Sequence, residues 1–292
     1  MQSKSFNIKC PYCQQKAINR DGFFFRQDDS KQVQRYRCKN CGRRFSRSTF
    51  SFEYRQQKRR VNYQLMYALC SKVSIRRAAL MFHLDKNTVL SRIRSMAHKA
   101  RYNNELFMQQ YLKQPVNYMQ MDDLVTKEQT KLKPLSVTIA IDVDRKYILA
   151  MKVSKIAAFG HLAKIAVKKY GKRISNYNQI ADALVKSLKP FIAPHALVET
   201  DEHRSYPIFF KKYLPEIEHL SYKGEKACVV GQGEMKKNGQ DPLFYINHTC
   251  AMLRDNLARL LRRSWCLSQK AEMLQNHLDI FTYFYNQIYL AK

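Results

Sequence analysis

The chain has 292 residues, with 52 Lys and Arg against 23 Asp and Glu, and its formal net charge is +29 at pH 7. Because 45% of the residues are hydrophobic, the charge does not come from a disordered tail, and the length suits about two domains. A basic excess of this size favours a polyanionic partner such as DNA or RNA, since neutralised phosphates release counterions. On charge alone, a ribosomal or membrane-surface protein is the alternative.

The sequence predicts a reduced, intracellular protein. The first residues, MQSKSFNIKC, are polar, so no export signal is expected, and no apolar run approaches the ~18 residues of a membrane span. Eight cysteines could suggest disulfides, but four of them form two CxxC pairs, which in this setting favours a metal site. We therefore expect a cytoplasmic protein with no membrane partner.

Residues 1–50 are predicted to form a zinc ribbon. Cys10 and Cys13 lie in CPYC, Cys38 and Cys41 lie in CKNCG, and 24 residues separate the pairs. Two turns that each offer two thiolates match the tetrahedral preference of Zn²⁺. The glycine after Cys41 suits the tight turn, and QRYRC before the second pair is predicted as a strand. A redox CxxC motif or a coincidence is the alternative.

Residues 51–60 are predicted as a basic linker, and residues 61–113 as a helix-turn-helix domain that binds DNA. Ser74 is the predicted N-cap of the first helix, HLD forms the turn, and KNTVLSRIRSMAHKAR is the second helix with Val89 and Ile93 inward. An ordinary helical hairpin is the alternative. The side chains expected to face DNA are those of Lys86, Asn87, Thr88, Ser91, Arg92 and Arg94.

Residues 114–292 alternate strand-like and helix-like segments, in the order three strands, helix, strand, helix, strand, helix. This is the ribonuclease-H-like order, in which the first and fourth strands are neighbours. Asp122 and Asp201 would then face each other and could bridge Mg²⁺ ions for phosphodiester displacement. Unrelated acids at strand ends are the alternative. The last predicted helix is LFYINHTCAMLRDNLARLLRR, residues 243–263, with apolar residues at helical spacing.

With these motifs in this order, the chain resembles bacterial insertion-sequence transposases of the insertion-sequence-one group. The resemblance covers nearly the whole chain, and its most specific parts are the cysteine framework and NLARLLRRSWCLSQKAEML, residues 256–274. It implies a multidomain α+β protein with a small zinc ribbon, a helical helix-turn-helix domain and an α/β ribonuclease-H-like domain. It also implies structural Zn²⁺, catalytic Mg²⁺ or Mn²⁺, and a homo-oligomer in the bacterial nucleoid that binds double-stranded DNA at element ends and target.

The resemblance carries over Asp122 in MDDL and Asp201 in ETDEHRSY as metal ligands of a DDE-type transposase. The family's third acid is a Glu after an Ile at the start of the final helix, but here YIN puts Asn247 at that position. An Asn offers a carbonyl oxygen to a divalent ion and brings no charge. The alternative third ligands are Asp123, Glu199, Glu202 and Asp255.

The Arg-rich C-terminal part is expected to follow the DNA backbone beside the metals. Its candidate residues are Arg254, Arg259, Arg262, Arg263 and Lys270. Two functions stay open at this point. One is a transposase that cuts and joins DNA; the other is a DNA-binding protein or repressor that kept the fold and lost the chemistry. An RNA-binding zinc-ribbon protein is a third alternative, against which the helix-turn-helix pattern argues.

Overall fold

The structure is a computed structural model that describes residues 8–224, 227–229, 232–236, 239–261 and 266–291. The chain divides into two compact units, Met1–Leu65 and Met66–Lys292. The described residues form helices and three β-sheets, which confirms the predicted mixed α+β class. Among the described residues, no helix combines the length and the hydrophobicity that a membrane span requires.

Three antiparallel strands form the sheet of the first unit, in the order β1-β2-β3. They are β1 (Ile18–Arg26), β2 (Lys31–Cys38) and β3 (Arg44–Ser46). β2 contains QRYRC, so the strand predicted before the second cysteine pair is confirmed. Among the described residues, the buried core of this sheet consists of Cys10, Tyr36, Cys38 and Phe45. A core this small contributes little hydrophobic stabilisation, so the first unit needs a further source of stability.

The basic segment at residues 51–60, predicted as a linker, belongs to the first unit. Arg59 donates hydrogen bonds of 2.9 and 2.6 Å to the carboxylate of Asp28, in the turn between β1 and β2. Because this pair is bidentate and both side chains are largely buried, it holds the segment against the hairpin.

Three helices follow along the chain. They are α1 (Val61–Leu69), α2 (Ile75–Met81) and α3 (Lys86–Met108). α2 begins after its predicted N-cap, because Ser74 Oγ accepts a hydrogen bond from the N–H of Arg77. α3 is capped in the same way by Asp85 of the predicted turn, whose Oδ1 accepts a hydrogen bond from the N–H of Asn87. The two helices predicted for this segment are therefore confirmed.

The second unit contains a five-stranded mixed sheet in the order β6-β5-β4-β7-β8. Its strands are β4 (Val116–Lys127), β5 (Pro134–Asp142), β6 (Ile148–Lys155), β7 (Ile192–Asp201) and β8 (Glu218–Tyr222). β4, β5 and β6 are antiparallel neighbours, whereas β7 and β8 run parallel to β4. The prediction that the first and fourth strands of this region are adjacent is confirmed.

Five helices of the second unit follow β6 along the chain among the described residues. They are α4 (Leu162–Tyr170), α5 (Tyr177–Leu188), α6 (Tyr206–Tyr213), α7 (Phe244–Asn256) and α8 (Ala271–Phe284). α5 presents Ala181, Leu184 and Val185 to the core, which also contains Phe209 and Phe210 of α6. Every residue of β5 is buried, so this strand is covered on both of its faces.

Several features of the second unit were not predicted from the sequence, among them the helices α4 and α8. Three short strands, β9 (Ala227–Val229), β10 (Gln232–Lys236) and β11 (Gly239–Gln240), form a separate small sheet before α7. In addition, α3 packs along α8, where Arg101 donates hydrogen bonds of 3.0 Å to Asn276 and 2.6 Å to Asp279. From Met66 onward, the helical segment and the sheet therefore form one compact unit.

The last helix predicted over residues 243–263 is shorter in the structure, because α7 ends at Asn256. Leu257 has an extended backbone, with φ −106° and ψ 109°. The side-chain amide of Asn256 donates to the carbonyl of Met252, and its own carbonyl accepts a hydrogen bond from the N–H of Lys72 at 2.7 Å. Asparagine is a weak helix former whose side chain competes for backbone partners, which explains why the helix stops here.

Candidate functional site

The four cysteines of the first unit come together as a candidate metal centre. Their sulfur atoms all lie within 4.8 Å of one another, with Cys10 and Cys41 3.7 Å apart and Cys13 and Cys38 3.5 Å apart. A tetrahedral zinc with Zn–S bonds of ~2.3 Å would separate its sulfurs by about 3.8 Å. A hydrogen bond from the N–H of Gln15 lowers the pKa of the Cys13 thiol, whereas the pKa of Cys41 is raised, because burial and the neighbouring sulfurs outweigh the hydrogen bond from the backbone of Arg43. The predicted tetrad is therefore a group that could bind zinc.

The two CxxC turns are built alike. The N–H of Gln14 donates to the carbonyl of Cys10 at 2.9 Å, and the N–H of Gly42 donates to the carbonyl of Cys38 at 3.0 Å. Gln14 and Gly42 both have positive φ, of 61° and 68°. Glycine adopts this conformation without strain, so the structure gives Gly42 the turn role that its position after Cys41 predicts.

An open cavity of about 290 Å³ in the first unit is strongly basic. Five arginines line it beside Phe24, Tyr54 and several hydroxyl groups: Arg26, Arg35, Arg44, Arg55 and Arg59. Arg26, Arg44 and Arg59 form ion pairs with Asp29, Asp21 and Asp28. These pairs orient the guanidinium groups, and the arginines outnumber the acids, so the cavity carries a net positive charge. The sequence indicated a basic segment here but not that its arginines converge.

In the second unit, Asp122 and Asp201 lie side by side on adjacent parallel strands. Met121 on β4 is the register partner of Thr200 on β7, and Asp122 and Asp201 are the next residue on each strand. Both carboxylates line one cavity of about 480 Å³. The structure therefore brings together the two acids that the sequence singled out.

The acids of this cavity carry an electrostatic cost. Burial, together with the charges of Asp201 and Asp123, raises the pKa of Asp122 to about 6. Burial also raises the pKa of Asp201. A divalent cation would offset this desolvation and repulsion, and carboxylate oxygens are the donors that Mg²⁺ and Mn²⁺ prefer. The donor set fits such an ion.

Taken as a group, the carboxylate oxygens of this cavity lie farther from one another than the cysteine sulfurs do. In the part of the chain that the structure describes, the cysteine tetrad is the only group of three or more Cys, His, Asp or Glu residues whose ligand atoms all lie within 4.8 Å. Carboxylates repel one another, and a shared cation supplies the charge that draws them together.

Asp123 faces away from this cavity, because successive side chains of a strand point to opposite faces. Its carboxylate accepts four hydrogen bonds of 2.5–2.8 Å from the hydroxyl groups of Ser136, Thr138, Tyr177 and Tyr206. Four donors occupy the lone pairs of the carboxylate. Asp123 is therefore engaged inside the fold and does not join Asp122 as a metal ligand.

Three other acids named as alternative third ligands are also engaged elsewhere or turned outward. Glu199 is buried and accepts hydrogen bonds from Tyr118, Gln120 and Tyr222. The carboxylate of Asp255 is 77% exposed and lies 2.6 Å from Lys72 Nζ. Glu202 is exposed. None of these three lines the cavity that holds Asp122 and Asp201.

Asn247, the residue at the expected position of the third acid, does line that cavity. Its side-chain amide donates a hydrogen bond of 2.7 Å to Oδ2 of Asp241, which lines the same cavity and is 8% exposed. Sequence reasoning missed Asp241. Its signal was the sequence DPLF ahead of a predicted helix, which by itself indicates a turn. Oδ1 of Asp241 indeed accepts a hydrogen bond from the N–H of Leu243 at 3.1 Å.

We expect Asp122→Asn to stabilise the folded chain at pH 7.5 by on the order of 1–2 kcal/mol. The pKa of Asp122 is raised from 3.8 to about 6, so its favourable contribution is present below pH 4 and is lost as the pH rises through 6. A neutral Asn does not ionise, so the variant avoids this loss of folding free energy at high pH. The difference in stability between the two proteins should disappear below pH 4. The free energy of unfolding of both proteins at pH 7.5 and pH 3.5 measures the difference.

Asp123→Asn is the matched control, because it makes the same chemical change one residue along β4. It replaces an oxygen acceptor in the four-hydroxyl network, so we expect it to destabilise the chain by about 1–3 kcal/mol at both pH values. Equal effects of the two substitutions would contradict the opposite orientation of these side chains.

Five of the six residues predicted to contact DNA from α3 lie on its exposed side. They are Lys86, Asn87, Thr88, Ser91 and Arg94. Arg92 is a correction, since only 4% of it is exposed. It follows Val89 by three residues and precedes Ile93, so helical geometry turns it toward the packed face of α3. Arg92 therefore does not belong to a DNA-contacting surface.

The basic residues predicted to follow the DNA backbone in the C-terminal part differ in how far they are exposed. Lys270 is exposed just before α8, and Arg254 is half-buried on α7. Arg259 lies beyond the end of α7, and its guanidinium donates to the carbonyl of Leu267 at 3.3 Å. Arg259 is also half-buried, and burial lowers its pKa; its contact with DNA stays a prediction. Arg262 and Arg263 lie outside the described residues.

No protein-family model and no curated protein matches the chain. Among solved structures, a chain of "Crystal structure of the Mos1 Strand Transfer Complex" is similar over 76% of this chain and 74% of its own length, at 8% identity and a TM-score of 0.25. A TM-score of this size supports no conclusion about fold or function.

Proposed function

We propose that the protein is the transposase of an insertion sequence, which binds the element ends and catalyses metal-dependent DNA cleavage and strand transfer. The observation that carries this proposal is the pairing of Asp122 with Asp201 on the adjacent parallel strands β4 and β7, in one cavity. The strand order β6-β5-β4-β7-β8 supports the ribonuclease-H-like arrangement expected from the sequence.

In this proposal, Asp122 and Asp201 would hold Mg²⁺ or Mn²⁺ beside the reacting phosphodiester. Such ions activate the attacking oxygen and stabilise the leaving oxygen. Water first attacks phosphorus at the element end, the bond to the 3′ oxygen breaks, and a 3′-hydroxyl and a 5′-phosphate result. The 3′-hydroxyl then attacks a target phosphodiester, which forms the new P–O bond and releases the 3′-hydroxyl of the target strand.

The remaining assignments follow the same proposal. The cysteine tetrad would hold structural Zn²⁺ in a ribbon at residues 1–50, and the arginine-lined cavity would contact DNA phosphates. α2 and α3 would act as the helix-turn-helix, with the N-terminal part of α3 in the major groove. Joining two element ends at one target requires that they be held together, so we propose a homo-oligomer that works in the bacterial cytoplasm.

We expect Arg94→Ala combined with Lys86→Ala to weaken binding to element-end DNA about tenfold or more, and to reduce its salt dependence. Both side chains are exposed in the N-terminal half of α3, where a recognition helix meets phosphates and base edges. Fluorescence anisotropy with a labelled duplex at several salt concentrations measures both quantities.

Lys99→Ala is the control for this pair, because Lys99 is also exposed on α3 but lies more than a turn beyond Arg94. We expect it to change the affinity only slightly. An effect of Lys99→Ala equal to that of the double variant would show general charge attraction and would contradict a recognition role for the N-terminal part of α3.

The second candidate function is a DNA-binding protein or repressor that has lost the chemistry. The observation in its favour is Asn247, which stands where the resemblance expects a Glu and brings no negative charge to the cavity. Such a protein would bind the same DNA without cutting it.

The deciding experiment uses the zinc-loaded full chain and labelled duplexes taken from the DNA that flanks its coding sequence. Each duplex is incubated without added metal, with Mg²⁺ or with Mn²⁺, in the presence of unlabelled target DNA. Nicked and joined products that appear only with a divalent ion would support the transposase. Tight binding without any product from either flank, with both metals, would favour the DNA-binding protein.

A further inference from the structure

We propose that Asp241 is the third metal-binding carboxylate of this site and that Asn247 is the residue that positions it. The proposal rests on the proposed function, since it concerns the same metal site. It replaces the expectation that the side chain at position 247 itself coordinates the ion.

The first step is that two carboxylates supply fewer oxygen ligands than the proposed ions need. Hard divalent cations take about six oxygen ligands, and a pair of ions acting on one phosphodiester needs carboxylates on both of them. Asp122 and Asp201 are two such groups, and Asp123, Glu199, Glu202 and Asp255 do not line this cavity. Asp241 is the further acid that lines this cavity among the described residues.

The second step is that the fold holds Asp241 close to β4. The side chain of Gln120 donates to the carbonyl of Pro242 at 2.9 Å and accepts from the N–H of Ile246 at 3.0 Å. Gln120 precedes Asp122 by two residues and therefore lies on the same face of β4. These two hydrogen bonds fix the segment that contains Asp241 beside the strand that contains Asp122.

The third step concerns Asn247. Asp241 accepts hydrogen bonds from the N–H of Leu243 on Oδ1 and from the amide of Asn247 on Oδ2. A metal-bound carboxylate is commonly oriented in this way by neighbouring donors. Only a residue with a donor group can do this, so Asn at 247 serves Asp241, whereas a Glu there would bring a second negative charge against Oδ2.

The experiment measures Mn²⁺ binding by electron paramagnetic resonance on the zinc-loaded full chain bound to end-sequence DNA. Zinc content is determined in parallel, so that Mn²⁺ at the cysteines is excluded. We expect Asp241→Asn to weaken Mn²⁺ binding about 100-fold and Asn247→Ala about tenfold, because a charged ligand is lost in the first and only its orienting donor in the second. Asp255→Asn, the same change at an exposed acid outside the cavity, should leave the affinity unchanged.

Asn247→Glu separates this proposal from the simpler idea that a Glu is missing. We expect it to weaken Mn²⁺ binding and to reduce strand cleavage. A gain in Mn²⁺ affinity or in cleavage with Asn247→Glu would overturn the positioning role. Unchanged thermal unfolding and DNA affinity of Asp241→Asn show that the variant is folded; Asp241→Glu, which keeps the charge, should bind Mn²⁺ more tightly than Asp241→Asn.

The two proposals fail in different ways. If the wild-type chain binds no Mn²⁺ that depends on Asp122 and Asp201, the proposed metal site itself is wrong, and with it the transposase chemistry. If Mn²⁺ binding depends on those two residues and Asp241→Asn leaves it unchanged, the proposed function stands and the assignment of Asp241 is overturned.

Discussion

Replacing Asp201 with asparagine is expected to abolish metal-dependent strand cleavage and to leave DNA binding intact. Asp201 ends β7 beside Asp122 in the 480 Å³ cavity, so Asn at this position removes a charged metal ligand with almost no change in volume. Metal stabilisation of the transition state contributes several kcal/mol, and a loss of about 4 kcal/mol corresponds to a cleavage rate lower by about 10³-fold. Single-turnover cleavage with saturating protein measures this rate separately from binding.

Glu202→Gln is the matched control for Asp201→Asn, since it removes the same charge from the next residue. Glu202 is exposed and does not line the cavity, so we expect its variant to cleave at the rate of the wild-type protein. If both substitutions lower the rate equally, the effect comes from the general field around β7, and Asp201 is not a ligand. If the cleaving wild type loses nothing in Asp201→Asn, the proposed site is wrong.

Asp122 and Asp123 are neighbours on β4 but have different roles, because Asp122 lines the cavity and Asp123 stabilises the fold behind it. Asp122 lies on the cavity face and carries a raised pKa, whereas Asp123 on the other face accepts four hydroxyl hydrogen bonds. Tyr177 and Tyr206, from α5 and α6, reach Asp123 and tie these helices to the strand. A site with desolvated like charges costs folding free energy, and the network behind it offsets part of that cost.

Local signals in the sequence predicted much of the fold. The CxxC spacing predicted the tetrad, and Ser74 marked the start of α2. The strand-like segments of residues 114–292 predicted the five-stranded sheet, and their order predicted that β4 and β7 are neighbours. The pairing of Asp122 with Asp201 is therefore predictable from the sequence, because each residue lies on a predicted strand and the strand order makes these two strands neighbours.

The position of Asp241 and the end of α7 depend on contacts between residues that are distant in the sequence, which local sequence patterns do not reveal. Asp241 precedes its helix in an Asp-Pro turn, and only the hydrogen bonds of Gln120 to the segment around Pro242 bring it to the cavity. Apolar residues recur at helical spacing in the sequence beyond Asn256, so the predicted helix was too long. The helix ends at Asn256 because its side chain and its carbonyl make hydrogen bonds to Met252 and Lys72. Arg92 was the avoidable error, because its spacing from Val89 already assigns it to the packed face.

Removing the metal from the cysteine tetrad is expected to unfold the first unit and to weaken DNA binding strongly. The buried core of this unit is small, so metal binding, worth about 10–16 kcal/mol for structural zinc sites, would supply most of its stability. Cys38→Ser removes one ligand that is itself buried in that core, and we expect substoichiometric zinc and loss of the arginine-lined cavity. Zinc content, protease sensitivity of residues 8–65 and DNA affinity are the three measurements.

Cys266→Ser is the matched control for Cys38→Ser, because it makes the same change at an exposed cysteine outside the tetrad. We expect this variant to keep its zinc, its protease resistance and its DNA affinity. The second unit has its own apolar core, so its helical signal and its unfolding transition should persist in Cys38→Ser. A Cys38→Ser protein that keeps full zinc and a protease-resistant first unit would show that the four sulfurs do not act together, because a tetrahedral site that loses one thiolate binds zinc far more weakly.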